Sequence, residues 1–186
     1  MNSSQLLEAV DVFLKVQSLF SDPMNPLLPV YAAIGGAFVG SVSTFLPNYL
    51  LESSRKENEK KSIQNAIISE INALLKIIQY RKYINGISNI VDNLKNNSNG
   101  ICRYRINVPE HYSRVYQKHV DRIGLLDSIT SSKIIEFYQL LDAIVQDVCP
   151  GGIICEQGGN YEQFLQLKNI AEEAMLIGKE LVSNYK

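Results

Sequence analysis

Charged residues are absent from one long stretch near the beginning of the chain. Twenty-nine consecutive residues, Pro23 to Leu51, carry no charge, whereas 20% of the whole chain is charged. As a helix, residues 30–51 would cover about 33 Å, which is enough to cross a hydrocarbon core of about 30 Å. The pattern predicts a single transmembrane helix over residues 26–51. The alternative is a buried helix of a soluble protein, because Gly, Ser and Thr residues bring the mean hydropathy close to the usual threshold for a span.

Positive charges are distributed unevenly around the predicted span. Lys15 precedes it, whereas Arg55, Lys56, Lys60 and Lys61 follow it within ten residues. Because Lys and Arg are retained on the cytoplasmic side, these four membrane-proximal basic residues predict a cytoplasmic C-terminal part. We expect a single-pass protein of the bacterial inner (cytoplasmic) membrane. The anchor is expected to be uncleaved, since the apolar run begins too late for a secretory signal peptide.

The predicted span also has a side almost without side chains. Ala32, Gly36, Gly40 and Thr44 recur every four residues, which places them on one face of a helix. Small residues allow two helix backbones in a membrane to approach closely and to gain packing. This face therefore predicts self-association of the span. The alternative is that the face packs on the N-terminal segment of the same chain.

The predicted N-terminal segment, residues 1–25, is amphipathic. Residues 4–20 bring several apolar side chains close to one helical face: Leu6, Val10, Phe13 and Phe20. Acidic residues outnumber basic ones there, so attraction to anionic lipid headgroups does not explain the pattern. The segment can lie on a membrane surface as a helix, and a short helix packed against its own chain or a neighbouring copy is at least as good an interpretation.

After the span, the pattern changes to the period of an amphipathic helix. No Pro or Gly occurs from Glu52 until Gly86. Apolar residues recur there at steps of three or four: Ile63, Ile67, Ile71, Leu74 and Ile78. Further apolar residues widen the stripe beyond a narrow coiled-coil seam. We therefore expect a stalk that becomes part of a helical bundle.

Helix-breaking and helix-capping residues, namely Gly, Pro, Asp and Asn, divide the rest of the chain into shorter predicted helices. Further helices are predicted at 87–95, 110–122, 128–148 and 161–185. Gly124 is the predicted left-handed cap of the second of these helices, and Asp127 is the predicted N-cap of the third. Residues 101–109 are expected to be extended or to form a short strand. The predicted fold class is all-α. A single transmembrane helix continues into a cytoplasmic stalk and helical bundle, and the α-helical domain covers residues 52–186.

Part of this pattern resembles uncharacterised bacterial single-pass membrane proteins with a helical cytoplasmic domain. The resemblance covers roughly residues 25–148 and consists of the layout and a few apolar anchors: Val115, Tyr116, Ile123, Gly124, Leu125, Leu126, Ile134, Phe137 and Tyr138. It implies no known activity. The physical interpretation is that a helix ends near Gly124, two leucines enter the core, and Asp127 starts the next helix.

The residue types that most often carry chemistry form no recognised motif. His111 and His119 are eight residues apart, about 12 Å on a helix, which is too far for a shared metal ion. Cys102, Cys149 and Cys155 lack the spacing of a zinc or redox motif. We expect surface histidines and buried or incidental thiols. No catalytic, metal or cofactor site is predicted.

The loop at 149–160 contains two pairs of glycines, Gly151-Gly152 and Gly158-Gly159. Backbone N–H groups in such a loop can cradle an anion. The Lys-Ser/Thr of a nucleotide-binding loop is missing, so a flexible hinge is the preferred interpretation.

Charge is nearly balanced overall but differs between regions. The chain has 18 Lys and Arg against 19 Asp and Glu, which argues against a polybasic nucleic-acid binder. Residues 52–126 hold 13 basic and 7 acidic residues, a net charge of +6, whereas residues 127–186 hold 4 and 9, a net charge of −5. This asymmetry is suited to contact with anionic lipids, a second copy or a protein partner, and solvated helix faces are the alternative.

The preferred function is therefore non-enzymatic. We expect the span to lie in the lipid bilayer and the helical cytoplasmic domain to mediate homo-oligomerisation or the binding of a protein partner. One alternative is an oligomeric, membrane-permeabilising effector of the phage or defence-associated kind. A second alternative is an enzyme with an unrecognised site. No nucleic acid and no cofactor are expected as ligands.

Overall fold

The computed structural model describes residues 10–12, 14–15, 17–18, 28–97 and 99–185. The described residues between 10 and 18 are helical, and Val10 and Leu14 are exposed there. The other apolar residues of the predicted N-terminal face lie outside the described residues: Leu6, Phe13 and Phe20.

The fold is all-α, as the sequence predicts. No β-strand occurs in the described ranges, and an isolated β-bridge pairs Cys102 with Gly159. Backbone hydrogen bonds in both directions, 3.0 and 2.8 Å long, form this bridge. The chain divides into two compact units, Met1–Glu57 and Asn58–Lys186. We refer to the second unit as the helical domain.

The longest helix, α1, runs from Leu28 to Tyr80. Among the described residues, no helix has both the length and the apolar character that crossing a membrane requires. The transmembrane helix predicted over residues 26–51 is therefore not supported. Gly35, Gly36, Gly40 and several hydroxyl side chains lower the mean hydropathy of this part of α1.

Shorter elements follow α1 in the helical domain. They are α2 (Tyr83–Lys95), α3 (Arg114–His119), a 3-10 turn (Val120–Leu125), α4 (Ser128–Val148), α5 (Ile153–Glu156) and α6 (Tyr161–Ser183). The starts of α4 and α6 agree with the sequence prediction. Asp127 caps α4 by accepting a 2.9 Å hydrogen bond from the backbone N–H of Thr130, and Asn160 caps α6 in a reciprocal capping box with Gln163.

The region between residues 109 and 126 differs from the prediction. The predicted helix over 110–122 begins only at Arg114, because the backbone after Pro109 first forms a turn closed by the N–H of Tyr112. The left-handed cap predicted at Gly124 is wrong. This glycine lies inside the 3-10 turn with a negative φ, and a hydrogen bond from the N–H of Leu126 to the carbonyl of Ile123 ends the turn.

One core cluster packs the second half of α1 against α3, α4 and α6. Its α1 members include Ile63, Ile67 and Ile71, which are buried as the predicted stripe requires. Phe137 on α4 packs closely on α6 at Gly178, where an added Cβ atom would lie 2.7 Å from the phenyl ring. The small residue at 178 therefore sets the close approach of α4 and α6.

A second core cluster lies around α2 and the first half of α6. Buried side chains from both helices meet residues of the intervening segments: Ile87, Val91, Leu94, Ile106, Val148, Ile154, Phe164, Leu167 and Ala171. The N–H of Ile106 donates a 3.0 Å hydrogen bond to the carbonyl of Val148, which holds the extended segment near 106 against the end of α4.

Candidate functional site

A cavity of about 590 Å³ lies within the helical domain. Its walls come from the end of α1, the start of α2, the segment 106–112, the second half of α4 and the middle of α6. The lining residues are Leu74, Ile77, Ile78, Arg81, Tyr83, Ile84, Ile87, Ile106, Asn107, Val108, Pro109, Tyr112, Leu141, Ile144, Val145, Val148, Ala171 and Met175. The volume falls within the range of about 300–1,000 Å³ that is typical of small-molecule sites.

The cavity walls are apolar and only partly covered. Apart from Arg81, Tyr83, Asn107 and Tyr112, every lining residue is apolar. Leu74 and Ile78 continue the α1 stripe into this region, yet both are half-buried, and Ile77 is 49% exposed. When an apolar ligand covers accessible apolar surface in a concave site, that surface is removed from water, and this burial makes binding favourable.

The turn between α1 and α2 supplies the charged part of the lining. Arg81 donates a hydrogen bond from its guanidinium Nη1 to the hydroxyl of Tyr83, with the two atoms 3.1 Å apart. Lys82, between them, has a φ of 54°, a left-handed conformation that few non-glycine residues adopt. This conformation ends α1 and starts α2 within two residues, so that Arg81 and Tyr83 both reach the cavity.

Arg81 carries the one formal charge among the lining residues. It is exposed, and within the described residues it forms no ion pair with a carboxylate. A guanidinium group has five N–H donors. One donor is used by Tyr83, so the group retains further donors for an anionic ligand.

Tyr112 forms a polar boundary on another wall of the cavity. Its hydroxyl donates a hydrogen bond to the carboxylate of Asp142 on α4. Burial raises the pKa of Tyr112 well above its ordinary value of 10.0, and the hydrogen bond to Asp142 raises it further. The phenol therefore stays protonated and acts as a hydrogen-bond donor at neutral pH.

A second polar network joins α1, α3 and α4. The Glu70 carboxylate accepts hydrogen bonds from the backbone N–H groups of Val115 and Tyr116, at 2.8 and 2.9 Å, and from the Tyr138 hydroxyl at 2.7 Å. The rings of Tyr116 and Tyr138 stack with their centroids 3.9 Å apart. Burial and the bond to Glu70 raise the pKa of Tyr138. This network fixes α3 close to Tyr112, which lines the cavity.

The predicted self-association face lies on α1, outside the helical domain. Gly36 and Gly40 are exposed, and a Cβ atom added to either would meet nothing within 4 Å. Ala32 and Thr44 are helical, and their side chains are outside the described ones. The self-association prediction stays a prediction.

The four membrane-proximal basic residues also lie on α1. Arg55 and Lys61 are exposed, and Lys60 is half-buried. The pKa of the Asp127 carboxyl is lowered mainly by hydrogen bonds from Thr130, and the positive charge of Lys60 lowers it further. Lys56 pairs with Glu52 one turn earlier, at 2.8 Å. The four side chains therefore do not act as one uniform basic patch.

The histidines and cysteines lie in several different segments of the helical domain. His111 lies exposed in the turn before α3, and His119 ends that helix. All three cysteines are free thiols, and burial raises the pKa of the Cys155 thiol. Among the described residues, no group of three or more His, Cys, Asp or Glu side chains is placed to hold a metal ion.

The double-glycine loop is a packed turn in which α5 is embedded. A Cβ atom at Gly152 would lie 2.1 Å from the carbonyl oxygen of Gln146, so only glycine fits there. Gly151 and Gly158 have positive φ angles, and Gly159 forms the bridge to Cys102. These contacts do not fit the predicted hinge.

Sequence reasoning predicted many of the cavity residues but not the cavity. The apolar faces of the predicted helices include Leu74, Ile78 and Val145, which line the cavity. The pattern shows which residues face inward but not whether a neighbouring element covers them. Ile68, Leu75 and Ile77 widen the predicted α1 stripe, and of these three Ile77 is exposed and lines the cavity.

Comparison with known proteins finds no matching family model, no similar curated protein and no similar solved structure.

Proposed function

We propose that the protein is a non-enzymatic binding module, tethered to a membrane, whose helical domain takes an apolar ligand into the cavity between α1, α2, α4 and α6. The observation that carries the proposal is the composition of the cavity wall. Apolar side chains from four helices leave accessible surface in one concave site, with a small number of polar groups at defined positions.

The polar groups around the cavity support binding rather than catalysis. Tyr112 is engaged by Asp142, and Glu70 is engaged by three donors. Burial keeps the pKa values of Tyr112 and Tyr138 above their ordinary range, so neither phenol serves as a general base at neutral pH. These side chains hold the cavity walls in place.

Tethering to the membrane is supported by the charge-free sequence from Pro23 to Leu51. In this part of α1, Val30, Ile34 and Phe38 are among the exposed large apolar side chains. Exposed side chains of this size favour an apolar surrounding over water. The basic residues from Arg55 to Lys61 support a cytoplasmic position for the helical domain.

A cavity-filling variant tests the binding role. The chain contains no tryptophan, so Ile144→Trp introduces a single indole into the cavity wall, and Ile135→Trp introduces one on the exposed side of the same helix. The full-length protein is mixed with an uncharged solvatochromic dye at a fixed detergent concentration. We expect the wild type and Ile135→Trp to shift the dye emission to the blue. Ile144→Trp should abolish the blue shift that the protein causes beyond that of the detergent alone.

The tryptophan emission of the two variants supplies the internal control. A blue-shifted indole in Ile144→Trp, with a solvent-like indole in Ile135→Trp, establishes that the cavity has been filled in a folded protein. Equal dye emission from the wild type and such a filled Ile144→Trp variant would contradict the proposed binding role.

Membrane tethering and topology are tested by cysteine accessibility. Cys155 is buried and Cys102 and Cys149 are partly buried, so the exposed Ser132→Cys on α4 is the better cytoplasmic reporter. An impermeant reagent added to intact cells should label Ser3→Cys and leave Ser132→Cys unlabelled until the cells are opened. Recovery of the protein in the soluble fraction without detergent would contradict the tether.

A further inference from the structure

We propose, resting on the binding role proposed above, that the cavity ligand is a single-chain amphiphile with a carboxylate head group. Its alkyl chain lies against the aliphatic walls, and its carboxylate pairs with Arg81. A long-chain fatty acid carboxylate is the simplest molecule of this class.

The chemistry of the lining selects both parts of this ligand. The aliphatic side chains of α1, α2, α4 and α6 match an unbranched alkyl chain, because they offer it no hydrogen-bonding partner. Arg81 is the one charged lining residue, so charge complementarity calls for one negative charge on the ligand. A cationic head group at this position would be repelled.

The position of Arg81 suits a head group that stays in contact with solvent. It follows directly after α1, and its side chain is exposed while Ile77 and Ile78, one turn earlier, line the apolar part of the cavity. The hydrogen bond to Tyr83 orients the guanidinium group. A guanidinium group binds a carboxylate through two parallel hydrogen bonds, which adds geometric specificity to charge.

No acidic side chain of the described residues competes with the head group for Arg81. Asp142, which is not a lining residue, already accepts the hydroxyl hydrogen of Tyr112. No ion pair of the described residues neutralises Arg81. A carboxylate at Arg81 therefore displaces no acidic side chain of the described chain.

Photocrosslinking on the full-length protein in membranes tests the inference. Three probes share one hexadecyl chain with a terminal diazirine and differ in the head group: a carboxylate, its methyl ester and a primary ammonium. Labelled peptides are mapped by mass spectrometry. We expect the carboxylate to label the peptides covering 74–87 and 141–148 about tenfold more than the ammonium probe.

Substitution of Arg81 separates the head-group contact from the apolar contact. Arg81→Gln should lower cavity labelling by the carboxylate to the level of the ester and leave labelling by the ester unchanged. Arg81→Lys should retain part of the difference, because it keeps the charge but not the planar fork. The matched control is Arg103→Gln, an exposed arginine that does not line the cavity.

The outcomes distinguish this inference from the proposed binding role. Equal cavity labelling by all three probes, unchanged in Arg81→Gln, would overturn the carboxylate assignment and leave an apolar site. No cavity labelling by any probe would overturn both. Competition on the wild type tests the alkyl-chain part of the inference without any variant: unlabelled hexadecanoate should displace the carboxylate probe, and displacement by butyrate to the same degree would overturn the role of the chain.

Discussion

The carboxylate of Glu70 on α1 accepts a 2.7 Å hydrogen bond from the hydroxyl of Tyr138 on α4. The same carboxylate receives the backbone N–H groups of Val115 and Tyr116 in the first turn of α3. The N-cap residue of α3, Ser113, makes no capping bond through its own side chain. Glu70 therefore caps α3 from a different helix and joins three elements of the helical domain.

The first prediction concerns the energy of this junction. Tyr138→Phe removes one hydrogen bond and should lower the free energy of unfolding by about 1–2 kcal/mol. Glu70→Ala should cost about 3 kcal/mol or more, because it leaves the Tyr138 hydroxyl and two N–H groups without their acceptor. Chemical denaturation of the variants measures both values.

A double-mutant cycle gives the control for this prediction. The Glu70→Ala and Tyr138→Phe losses should not add, because both variants remove the same hydrogen bond. Tyr80→Phe, in which the ring is 84% exposed, should change the stability by less than about 0.5 kcal/mol. Full additivity of the Glu70 and Tyr138 changes would contradict the hydrogen bond between them.

The second prediction concerns alkaline pH. Burial raises the pKa of Tyr138 and of Tyr112 in the folded protein above the ordinary value of 10.0. A raised pKa contributes stability that is fully present below the unfolded-state value and is lost as the pH rises through the folded-state value. The stability should therefore decline from about pH 10 upward.

Denaturation midpoints measured in steps from pH 8 to pH 11 test this expectation. Tyr138→Phe should have a shallower decline than the wild type, since it removes one of the buried tyrosines that must stay protonated. Identical alkaline slopes for the variant and the wild type would contradict the assignment of this pH dependence to Tyr138.

The third prediction compares two glycines of the helical domain. A Cβ atom at Gly178 would lie 2.7 Å from the Phe137 ring and 2.9 Å from Leu75, whereas one at Gly124 would meet nothing within 4 Å. Gly178→Ala should therefore destabilise the protein by about 1–3 kcal/mol through overpacking. Gly124→Ala should be close to neutral. Equal thermal unfolding of both variants would disprove the close contact of α4 and α6 at Gly178.

The fourth prediction concerns self-association through α1. A Cβ atom added at Gly36 or Gly40 meets nothing within 4 Å in a single chain, so we expect substitution there to leave the chain itself intact. The double variant Gly36→Ile with Gly40→Ile should weaken crosslinked oligomers in membranes, whereas Val39→Ile with Val42→Ile should not. Unchanged crosslinking of the glycine variant would restrict any assembly to the helical domain.

The sequence predicts local features of this fold better than its long-range contacts. Asp127 is recognisable as an N-cap because its partner, the N–H of Thr130, lies three residues away. Glu70 is not recognisable as a cap, since its partners lie 45 to 68 residues further along the chain. Hydrophobic periodicity records the side that faces inward but carries no information on these distant polar partners.

The cavity was not predicted because it, too, depends on contacts between distant parts of the chain. Ile63 and Ile78 occupy equivalent places in one apolar stripe, yet Ile63 is 3% exposed and Ile78 is half-buried at the cavity. Ile63 is a buried member of the core cluster that includes Tyr116 of α3 and Ile123 of the 3-10 turn, whereas Ile78 is a partly buried neighbour of that cluster. This arrangement depends on the turn at Lys82 and on the tight turn after Pro109, neither of which the sequence pattern predicts.

Methyl NMR of the isoleucine side chains tests the central claim, that the cavity is a binding site, most directly. The full-length protein, labelled at isoleucine δ1 methyl groups, is titrated with hexadecanoate. We predict shifts for Ile77, Ile84 and Ile144, which line the cavity, and constant positions for Ile63 and Ile67 in the filled core. No shift at any isoleucine, or equal shifts in both groups, would contradict the account.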